Sequence, residues 1–285
     1  MQKLGLCAAL FFLISASTPA DSSPSAVPRY QSIFSFGDSF ADTGNNPVVF
    51  RQNSIFDPVT RPPYGSTFFG HPTGCNSDGR LIIDFVAENL GLPYVPPTLA
   101  YNGSFRQGAN FAVGAATALD ANFFHERDIP GAPSKFPLNT SLGVQLEWFE
   151  SMKPSLCGTG AQPETLIIKH GARSLVVPGV LPSGCSPPIL TKYANPIGII
   201  YVDFFGPIME MVESPHKFGF EEDVLRVCCG GPGRYGLNST VPCGDAAATT
   251  CAHPSARLYW DGVHLTEAAN RHVADRWLGK INSFT

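Results

Sequence analysis

A short apolar strand that runs directly into a polar turn is the feature that most limits what this chain can fold into. Gln31 to Phe36 reads as a buried strand, and Gly37-Asp38-Ser39 opens a turn rich in Gly, Asp and Asn. A turn or helix-capping role is the ordinary interpretation of such a serine. A nucleophile is the alternative, and it requires a histidine to take the hydroxyl proton and a third group to orient that histidine.

Both partners occur near the other end of the chain, in Asp261-Gly262-Val263-His264. His264 would take the proton of Ser39, and Asp261 would hold the imidazole by its other nitrogen. The short spacing lets both side chains share one loop before a helix that begins near Thr266. The sequence therefore predicts a catalytic set of Ser39, Asp261 and His264. A capping or core role for His264 is the alternative.

Predicted strands and helices alternate along the chain, which favours a parallel sheet covered on both faces. Pro47 to Gly79 is rich in Pro, Gly and Asn and is predicted to be loop, while Asn110 to Leu119 fits either a strand-to-turn passage or a small-residue helix. The periodic segments are helices at Arg80–Leu90, Leu142–Met152, Asp203–Val212 and Thr266–Leu278, and strands at Arg173–Val180 and Gly198–Phe205.

Two distant blocks carry a family resemblance. Phe-Gly-Asp-Ser-Phe-Ala-Asp-Thr-Gly-Asn, which contains Ser39, and Trp-Asp-Gly-Val-His-Leu-Thr-Glu-Ala, which contains His264, resemble the first and last blocks of the plant GDSL esterase/lipase family, part of the SGNH hydrolases. The resemblance implies a flavodoxin-like three-layer sandwich with a central parallel sheet, and ester hydrolysis without metal or cofactor. The Gly-x-Ser-x-Gly elbow of ordinary α/β-hydrolases is absent from the sequence, which agrees with this fold.

The segment Gln107 to Ala115 resembles the second block of the family, whose glycine donates a backbone N–H to the oxyanion. The resemblance implies that Gly114 and the backbone of Ser39 are the oxyanion donors. The pattern is altered here, because Ala115 occupies a place that is often Gly in relatives.

The third block, Gly-x-Asn-Asp, supplies a side-chain amide to the same oxyanion in the family, and it is missing here. None of the asparagines between Ala115 and Asp261 has that context; they are Asn122, Asn139, Asn195 and Asn238. The resemblance implies two contractions, one after Cys157 and one near Asn195. We therefore expect a shortened chain that lacks internal segments and has weak or absent activity. The alternative is a non-catalytic secreted glycoprotein that keeps the cleft and binds an acylated ligand.

The N-terminus has the layout of a secretory signal peptide. Lys3 is followed by an apolar run from Leu4 to Ala16 and then by small residues that end at Ala20. We expect residues 1–20 to be removed, residues 21–285 to form a single domain, and the protein to be secreted. The predicted glycosylation sites are Asn102, Asn139 and Asn238, each the first residue of a sequon.

Cysteine use and charge narrow the function further. Eight cysteines less Cys7 of the signal leave seven, so disulfides are expected and at least one thiol has no intramolecular partner. The glycine-rich segment from Gly231 to Gly236 is predicted to be a loop held by a disulfide rather than a phosphate-binding loop. No metal-ligand spacing and no basic run occur, and the formal net charge is −4. We expect no cofactor, no metal, no nucleic acid and no integral membrane span, and a small-molecule ester as partner.

Overall fold

The computed structural model describes residues 30–126, 138–157, 174–179 and 198–283 of the chain. The α-helices in these ranges are α1 (Asn46–Gln52), α2 (Ile82–Asn89), α3 (Ala121–His125), α4 (Leu142–Cys157), α5 (Phe205–Glu213) and α6 (Glu267–Ser283). The strands are β1 (Ile33–Ser35), β2 (Gly108–Asn110), β3 (Ser174–Gly179), β4 (Gly198–Asp203), β5 (Cys229–Gly230) and β6 (Thr249–Thr250). The predicted signal peptide, Asn195 and both predicted contractions lie outside the described ranges.

Parallel strand pairing is present, as an α/β fold requires. Strand β1 pairs with β2 from Ile33 opposite Gly108 to Ser35 opposite Asn110. Strand β3 pairs with β4 in parallel along its whole length. The β5–β6 pair is antiparallel. Because β1 and β2 run in the same direction, the turns that follow Ser35 and Asn110 lie side by side.

Helices α2 and α6 follow the predicted periodicity closely. Helix α2 begins where Asp84 accepts the Leu81 N–H at 2.9 Å, and it is followed by Gly91 at φ +68°. That left-handed conformation is the reason a glycine closes the helix. Helix α6 begins after Thr266, whose hydroxyl accepts the Ala269 N–H at 3.3 Å. These local capping signals can be read from sequence, and both predicted helices are present.

Several segments differ from the predicted structure, among them the end of α6, which continues beyond Leu278 to Ser283. The loop predicted from Pro47 contains α1, because the Asp42 carboxylate accepts N–H groups at the start of this helix and Pro47 fits its first turn. Helix α4 continues beyond Met152 to Cys157 with Pro154 inside it. The segment after Asn110 takes the strand-to-turn form, which was one of its two interpretations.

Aromatic packing fixes α4 beneath the β1–β2 pair. The Phe36 ring stacks on Phe111 at 5.1 Å between centroids, and Phe149 of α4 meets Phe36 edge-on at 5.8 Å. The buried amide of Gln145 then holds the backbone of Gly37 on both sides, since Gly37 N–H donates to Oε1 at 2.8 Å and Nε2 donates to the Gly37 carbonyl at 2.8 Å. The turn after β1 is therefore held from below by α4.

Two disulfides hold the segment that precedes Asp261. The disulfide bonds join Cys228 to Cys251 and Cys229 to Cys243. The N–H of Cys228 donates to the Tyr259 carbonyl at 3.0 Å, and the N–H of Cys229 donates to the Trp260 carbonyl at 2.7 Å. The predicted disulfides are thus present, and the loop from Gly231 to Gly236 lies within the segment that they close. Cys75 is a free, buried thiol.

The raised pKa values of three buried carboxyl groups predict how the free energy of unfolding depends on pH. Burial raises the pKa of Asp42 to about 7 and the pKa values of Asp57 and Asp84 to about 6, from an ordinary value of 3.8. The folded chain then binds more protons than the unfolded chain between about pH 4 and 7, so the free energy of unfolding falls as the pH rises through this window. Urea unfolding at a series of pH values checks this, and Asp84→Asn should flatten the profile. A stability that rises steadily over this window would contradict the prediction.

Candidate active site

Ser39, His264 and Asp261 come together, although 225 residues separate the serine from the histidine. His264 Nε2 lies 2.8 Å from Ser39 Oγ, and His264 Nδ1 lies 2.9 Å from Asp261 Oδ2 and 3.0 Å from Oδ1. A carboxylate beside Nδ1 favours the tautomer that carries its proton there. Nε2 is then an acceptor that faces the serine hydroxyl, which is the geometry of an activated nucleophile.

The short loop that carries Asp261 and His264 is closed by its own backbone. Asp261 Oδ1 accepts the N–H of Val263 at 3.2 Å and the N–H of His264 at 3.0 Å. The N–H of Trp260 donates to the His264 carbonyl at 2.8 Å. Gly262 has φ +97°, a conformation that favours glycine, and a side chain there would also meet Leu237. The three-residue spacing between Asp261 and His264 thus produces a turn in which Asp261 contacts His264 Nδ1 while Nε2 faces Ser39.

Asp261 is charged despite its burial. Burial alone would raise its pKa, but the hydrogen bonds and charge of His264 and a hydrogen bond from Tyr64 outweigh this and leave the pKa below its ordinary value. The Tyr64 hydroxyl donates to Asp261 Oδ2 at 2.7 Å. Sequence reasoning missed Tyr64, because it lies within the Pro- and Gly-rich segment from Pro47 to Gly79 and no local pattern connects it with position 261.

A second buried carboxylate, that of Asp42, organises the turn that carries Ser39. Its Oδ1 accepts the N–H groups of Gly44 at 2.8 Å and Asn45 at 2.7 Å. Its Oδ2 accepts the N–H groups of Asn46 at 2.9 Å and Gly114 at 3.0 Å. One side chain therefore joins the turn after β1, the start of α1 and the turn after β2.

The N–H of Gly114, predicted as an oxyanion donor, has an acceptor within the protein, and its role stays a prediction. Its N–H donates to Asp42, and a Cβ at this position would lie 2.5 Å from Asn46 Oδ1, so the glycine is required by close packing. The next residue, Ala115, is exposed and has φ +64°. Among the described residues no acceptor is recorded for the N–H of Ala115 or of Ser39. The N–H groups of Ser39 and Ala115 therefore have no recorded acceptor in the described part of the chain, and the same holds for Asp38, Thr43 and Thr117 in these turns.

Side-chain amides near the site are already engaged. Asn45 Nδ2 donates to the carbonyls of Asn110 and Ala112 at 2.8 and 2.9 Å, and Asn110 Nδ2 donates to the Ala41 carbonyl at 2.6 Å. Of the asparagines considered for the missing third block, Asn122 and Asn139 are exposed, and Asn238 Nδ2 donates to the Pro232 carbonyl at 3.2 Å. None of these amides is recorded in contact with Ser39 or His264 in the described part of the chain.

Apolar side chains border the catalytic residues on one side. The Phe40 ring lies 5.4 Å from the His264 ring and 5.5 Å from Phe204, between ring centroids. Phe204 follows β4, whose last carbonyl, that of Asp203, accepts the indole N–H of Trp277 in α6 at 2.9 Å. Val263 is 60% exposed beside this group. Apolar side chains therefore lie next to His264, the partner of Ser39.

Other predicted sites can be placed only in part. Asn102 and Asn139 of the sequons are exposed, and Asn238 is half-buried. Within the described ranges, no three His, Cys, Asp or Glu side chains are grouped so that they could bind a metal ion. None of the helices described has both the length and the apolar character needed to cross a bilayer.

Comparison with known proteins decides the family. The model of the GDSL-like lipase/acylhydrolase family matches residues 33–172. A GDSL esterase/lipase of Arabidopsis thaliana is 36% identical, over 86% of this chain and 89% of its own length. The chain belongs to the GDSL esterase/lipase family. A second Arabidopsis GDSL esterase/lipase is 35% identical over 96% of this chain and 89% of its own length, and the sinapine esterase of Brassica napus is 34% identical over 93% and 89%.

The alignments to these GDSL relatives are longer than the chain itself. They extend over 338, 362 and 354 positions, whereas the chain has 285 residues. Such lengths can be reached only by opening gaps in this chain. Relative to these family members, the chain therefore lacks residues within the aligned region.

The Asp42 network gives a stability prediction. In Asp42→Asn, the side-chain NH2 group would replace one carboxylate oxygen and face the two backbone N–H groups that this oxygen now accepts. Those two buried donors would then have no acceptor. At about pH 8, where the carboxyl is ionised, we expect a loss of about 3 kcal/mol in the free energy of unfolding, measured with urea. The control is Asp38→Asn, since exposed Asp38 accepts one N–H, that of Phe40 at 3.0 Å, and should change stability by under about 0.5 kcal/mol. Equal effects of the two substitutions would contradict the prediction.

The conformation of Ala115 gives a prediction of the opposite sign. A left-handed φ costs a residue with a Cβ about 1 kcal/mol relative to glycine, so Ala115→Gly should stabilise the protein and raise its melting temperature by a few degrees. Ala118 is also exposed and has no left-handed φ, so Ala118→Gly serves as the control and should leave stability unchanged or lower it. A destabilised Ala115→Gly variant would show that the methyl group makes a contact that outweighs the strain.

Proposed function

We propose that the protein is a secreted carboxylic-ester hydrolase in which Ser39 is the nucleophile, His264 the general base and acid, and Asp261 the residue that orients the imidazole. The observation that carries the proposal is the unbroken set of contacts from Asp261 through both nitrogens of His264 to the Ser39 hydroxyl. Family membership supports the same reaction, because the relatives are named esterases and lipases.

The reaction follows from this arrangement. His264 Nε2 takes the hydroxyl proton as Ser39 Oγ attacks the ester carbonyl, and the imidazolium then gives that proton to the leaving alcohol. Water enters next, loses a proton to the same nitrogen and attacks the acyl group on Ser39. The acid leaves and the serine recovers its proton. Asp261 remains ionised throughout and stabilises the imidazolium.

We propose the N–H groups of Ser39 and Ala115 as the oxyanion donors, because the Gly114 N–H already donates to Asp42. Val113, two residues before Ala115, donates its N–H to the Gly37 carbonyl at 3.2 Å, so the two turns run alongside each other. The side-chain amide of the third family block has no counterpart here. Loss of one donor of this kind costs roughly 10²–10³ in turnover, so a slow enzyme is expected.

We also propose that the fold is a shortened form of the flavodoxin-like three-layer sandwich. Parallel pairing of β1 with β2 and of β3 with β4 supports the sheet type. The gaps that the alignments require in this chain support the loss of internal segments. Missing strands would leave unpaired sheet edges, which would lower stability as well as activity.

The secretory proposal rests on the N-terminal signal layout of residues 1–20 and on the two disulfides, which persist in oxidising compartments. Residues 21–285 would then be the mature single domain, with glycans at Asn102, Asn139 and Asn238. The sequence offers no basic patch for a nucleic acid. Phe40 beside His264, with Phe204 packed against Phe40, favours a small ester with an apolar acyl or alcohol group as the substrate.

A second function, binding of an acylated ligand without turnover, is favoured by one observation. The Gly-x-Asn-Asp string that carries the amide donor in the family is absent from the sequence, while the Phe40 ring lies beside His264. A secreted glycoprotein of this kind would keep the ability to bind an acylated ligand and would not hydrolyse it.

Hydrolysis of a short-chain nitrophenyl ester separates the two functions. We expect slow hydrolysis by the intact chain and a further loss of at least about 10³-fold in kcat for Ser39→Ala and for His264→Ala. The control is His216→Ala, because His216 is exposed and lies outside the site; its rate should equal that of the unaltered chain. Equal rates for the intact chain and Ser39→Ala would reject the catalytic set and leave ligand binding. Turnover as fast as that of a full-length relative would overturn the proposed impairment.

A further inference from the structure

The Tyr64 hydroxyl forms a contact to the catalytic carboxylate that the catalytic set does not account for. We propose that Tyr64 is a positioning residue for ester hydrolysis: through its hydrogen bond to Asp261 Oδ2 it fixes the carboxylate that orients His264. This inference rests on the proposed function of the Ser39 site. It adds a fourth side chain to that site, from a segment far from both ends of the chain.

The contacts of the Asp261 carboxylate show why Tyr64 is needed. Oδ1 is held by two backbone N–H groups, those of Val263 and His264. Oδ2 faces the imidazole Nδ1 at 2.9 Å and accepts from the Tyr64 hydroxyl at 2.7 Å. Without Tyr64, Oδ2 would keep only the imidazole as a recorded partner among the described residues, and a rotation of the carboxylate would carry the imidazole away from Ser39.

Tyr64 is itself held rigidly. Its side chain is buried, and its ring meets the fully buried Trp260 edge-on at 5.8 Å between centroids. Its backbone N–H donates to the Arg61 carbonyl at 3.2 Å. Because Trp260 directly precedes Asp261, the same packing that fixes the phenol ring also fixes the start of the catalytic loop.

The charges around the hydroxyl keep it a donor. Burial, the charge of Asp261, the hydrogen bond to Asp261 and then the charge of Asp57 raise the pKa of Tyr64 far above its ordinary value, so the phenol is protonated at neutral pH. The titratable groups that face this contact are Asp57, Asp261 and His264. Tyr64 therefore has a proton to donate and Oδ2 is the atom that receives it.

The test compares Tyr64→Phe with Tyr259→Phe in hydrolysis of a short-chain nitrophenyl ester. Tyr259 is half-buried in the same segment as Trp260, and its hydroxyl makes no recorded contact with the catalytic residues in the described chain, so its variant loses one hydroxyl without touching Asp261. For Tyr64→Phe we expect kcat to fall about tenfold with KM changed by less than about twofold. Tyr259→Phe should match the unaltered chain.

The pH profile gives a readout that lost packing would not change. A carboxylate without this hydrogen bond holds protons more tightly, both its own and the one that the imidazole shares with it. The acid limb of kcat/KM should therefore move to higher pH in Tyr64→Phe, by roughly half a pH unit. A ring-fluorinated tyrosine at position 64, which keeps the packing and donates more strongly, should move the limb to lower pH. This second variant serves if Tyr64→Phe unfolds.

Two further measurements separate this inference from the proposed function. In an Asp261→Ala background, Tyr64→Phe should have no further effect on kcat, because its effect passes through the carboxylate. Proton NMR of the His264 Nδ1–H, which needs no turnover, should show a shifted resonance in Tyr64→Phe and an unchanged one in Tyr259→Phe.

The outcomes differ clearly. Equal kcat, pH profile and Nδ1–H resonance in the two tyrosine variants would overturn the role of Tyr64, and so would an undiminished effect of Tyr64→Phe in the Asp261→Ala background. If the intact chain hydrolyses no ester but the Nδ1–H resonance still responds to Tyr64→Phe alone, the proposed function fails while the positioning of Asp261 by Tyr64 stands.

Discussion

The buried carboxylate of Asp42 is the interaction on which the rest of the site depends. Its two oxygens accept four backbone N–H groups, and these belong to the Ser39 turn, the start of α1 and the turn after β2. Burial raises the pKa of Asp42 to about 7, and the four N–H groups act against a further rise. Buried backbone N–H groups need acceptors once water is excluded, and the Asp42 carboxylate supplies acceptors to the N–H groups of three segments at once. The position of Ser39 follows from this arrangement together with the Gln145 amide beneath Gly37.

The loop that carries Asp261 and His264 is held by disulfides and backbone hydrogen bonds. Cys228 and Cys229 each form a disulfide with a later cysteine, and their N–H groups donate to the carbonyls of Tyr259 and Trp260. Tyr259 and Trp260 directly precede Asp261. A covalently closed segment thus supports the loop that carries Asp261 and His264. In the described part of the chain, the turn of Ser39 contacts this loop through the Ser39 hydroxyl and the Phe40 ring, both at His264, and Tyr64 donates a hydrogen bond to Asp261. Side-chain contacts therefore connect Ser39 with His264 and Asp261.

Local signals in the sequence account for the parts of the fold that were predicted well. Helix α2 ends at Asn89, two residues before Gly91, and helix α6 begins directly after Thr266, so in each case a capping residue lies next to the boundary. Ser39, Asp261 and His264 could be proposed because two blocks of sequence are distinctive. The start of α1 and the role of the Gly114 N–H could not be predicted, because both depend on the distant carboxylate of Asp42. Tyr64 was missed for the same reason: 197 residues separate it from its partner.

The proposed shortening and the retained catalytic contacts are compatible on physical grounds. Ser39, Tyr64, Asp261 and His264 all lie in segments before Ala115 or after β4, and both proposed contractions lie between these points. Loss of internal segments would then remove an oxyanion donor and sheet partners while leaving the contacts from Ser39 through His264 to Asp261 in place. Such a chain would still activate its serine, and its rate would be limited by poor stabilisation of the tetrahedral intermediate. The N–H groups of Ser39 and Ala115 would then carry the oxyanion alone, so the left-handed backbone at Ala115 bears on catalysis as well as on stability.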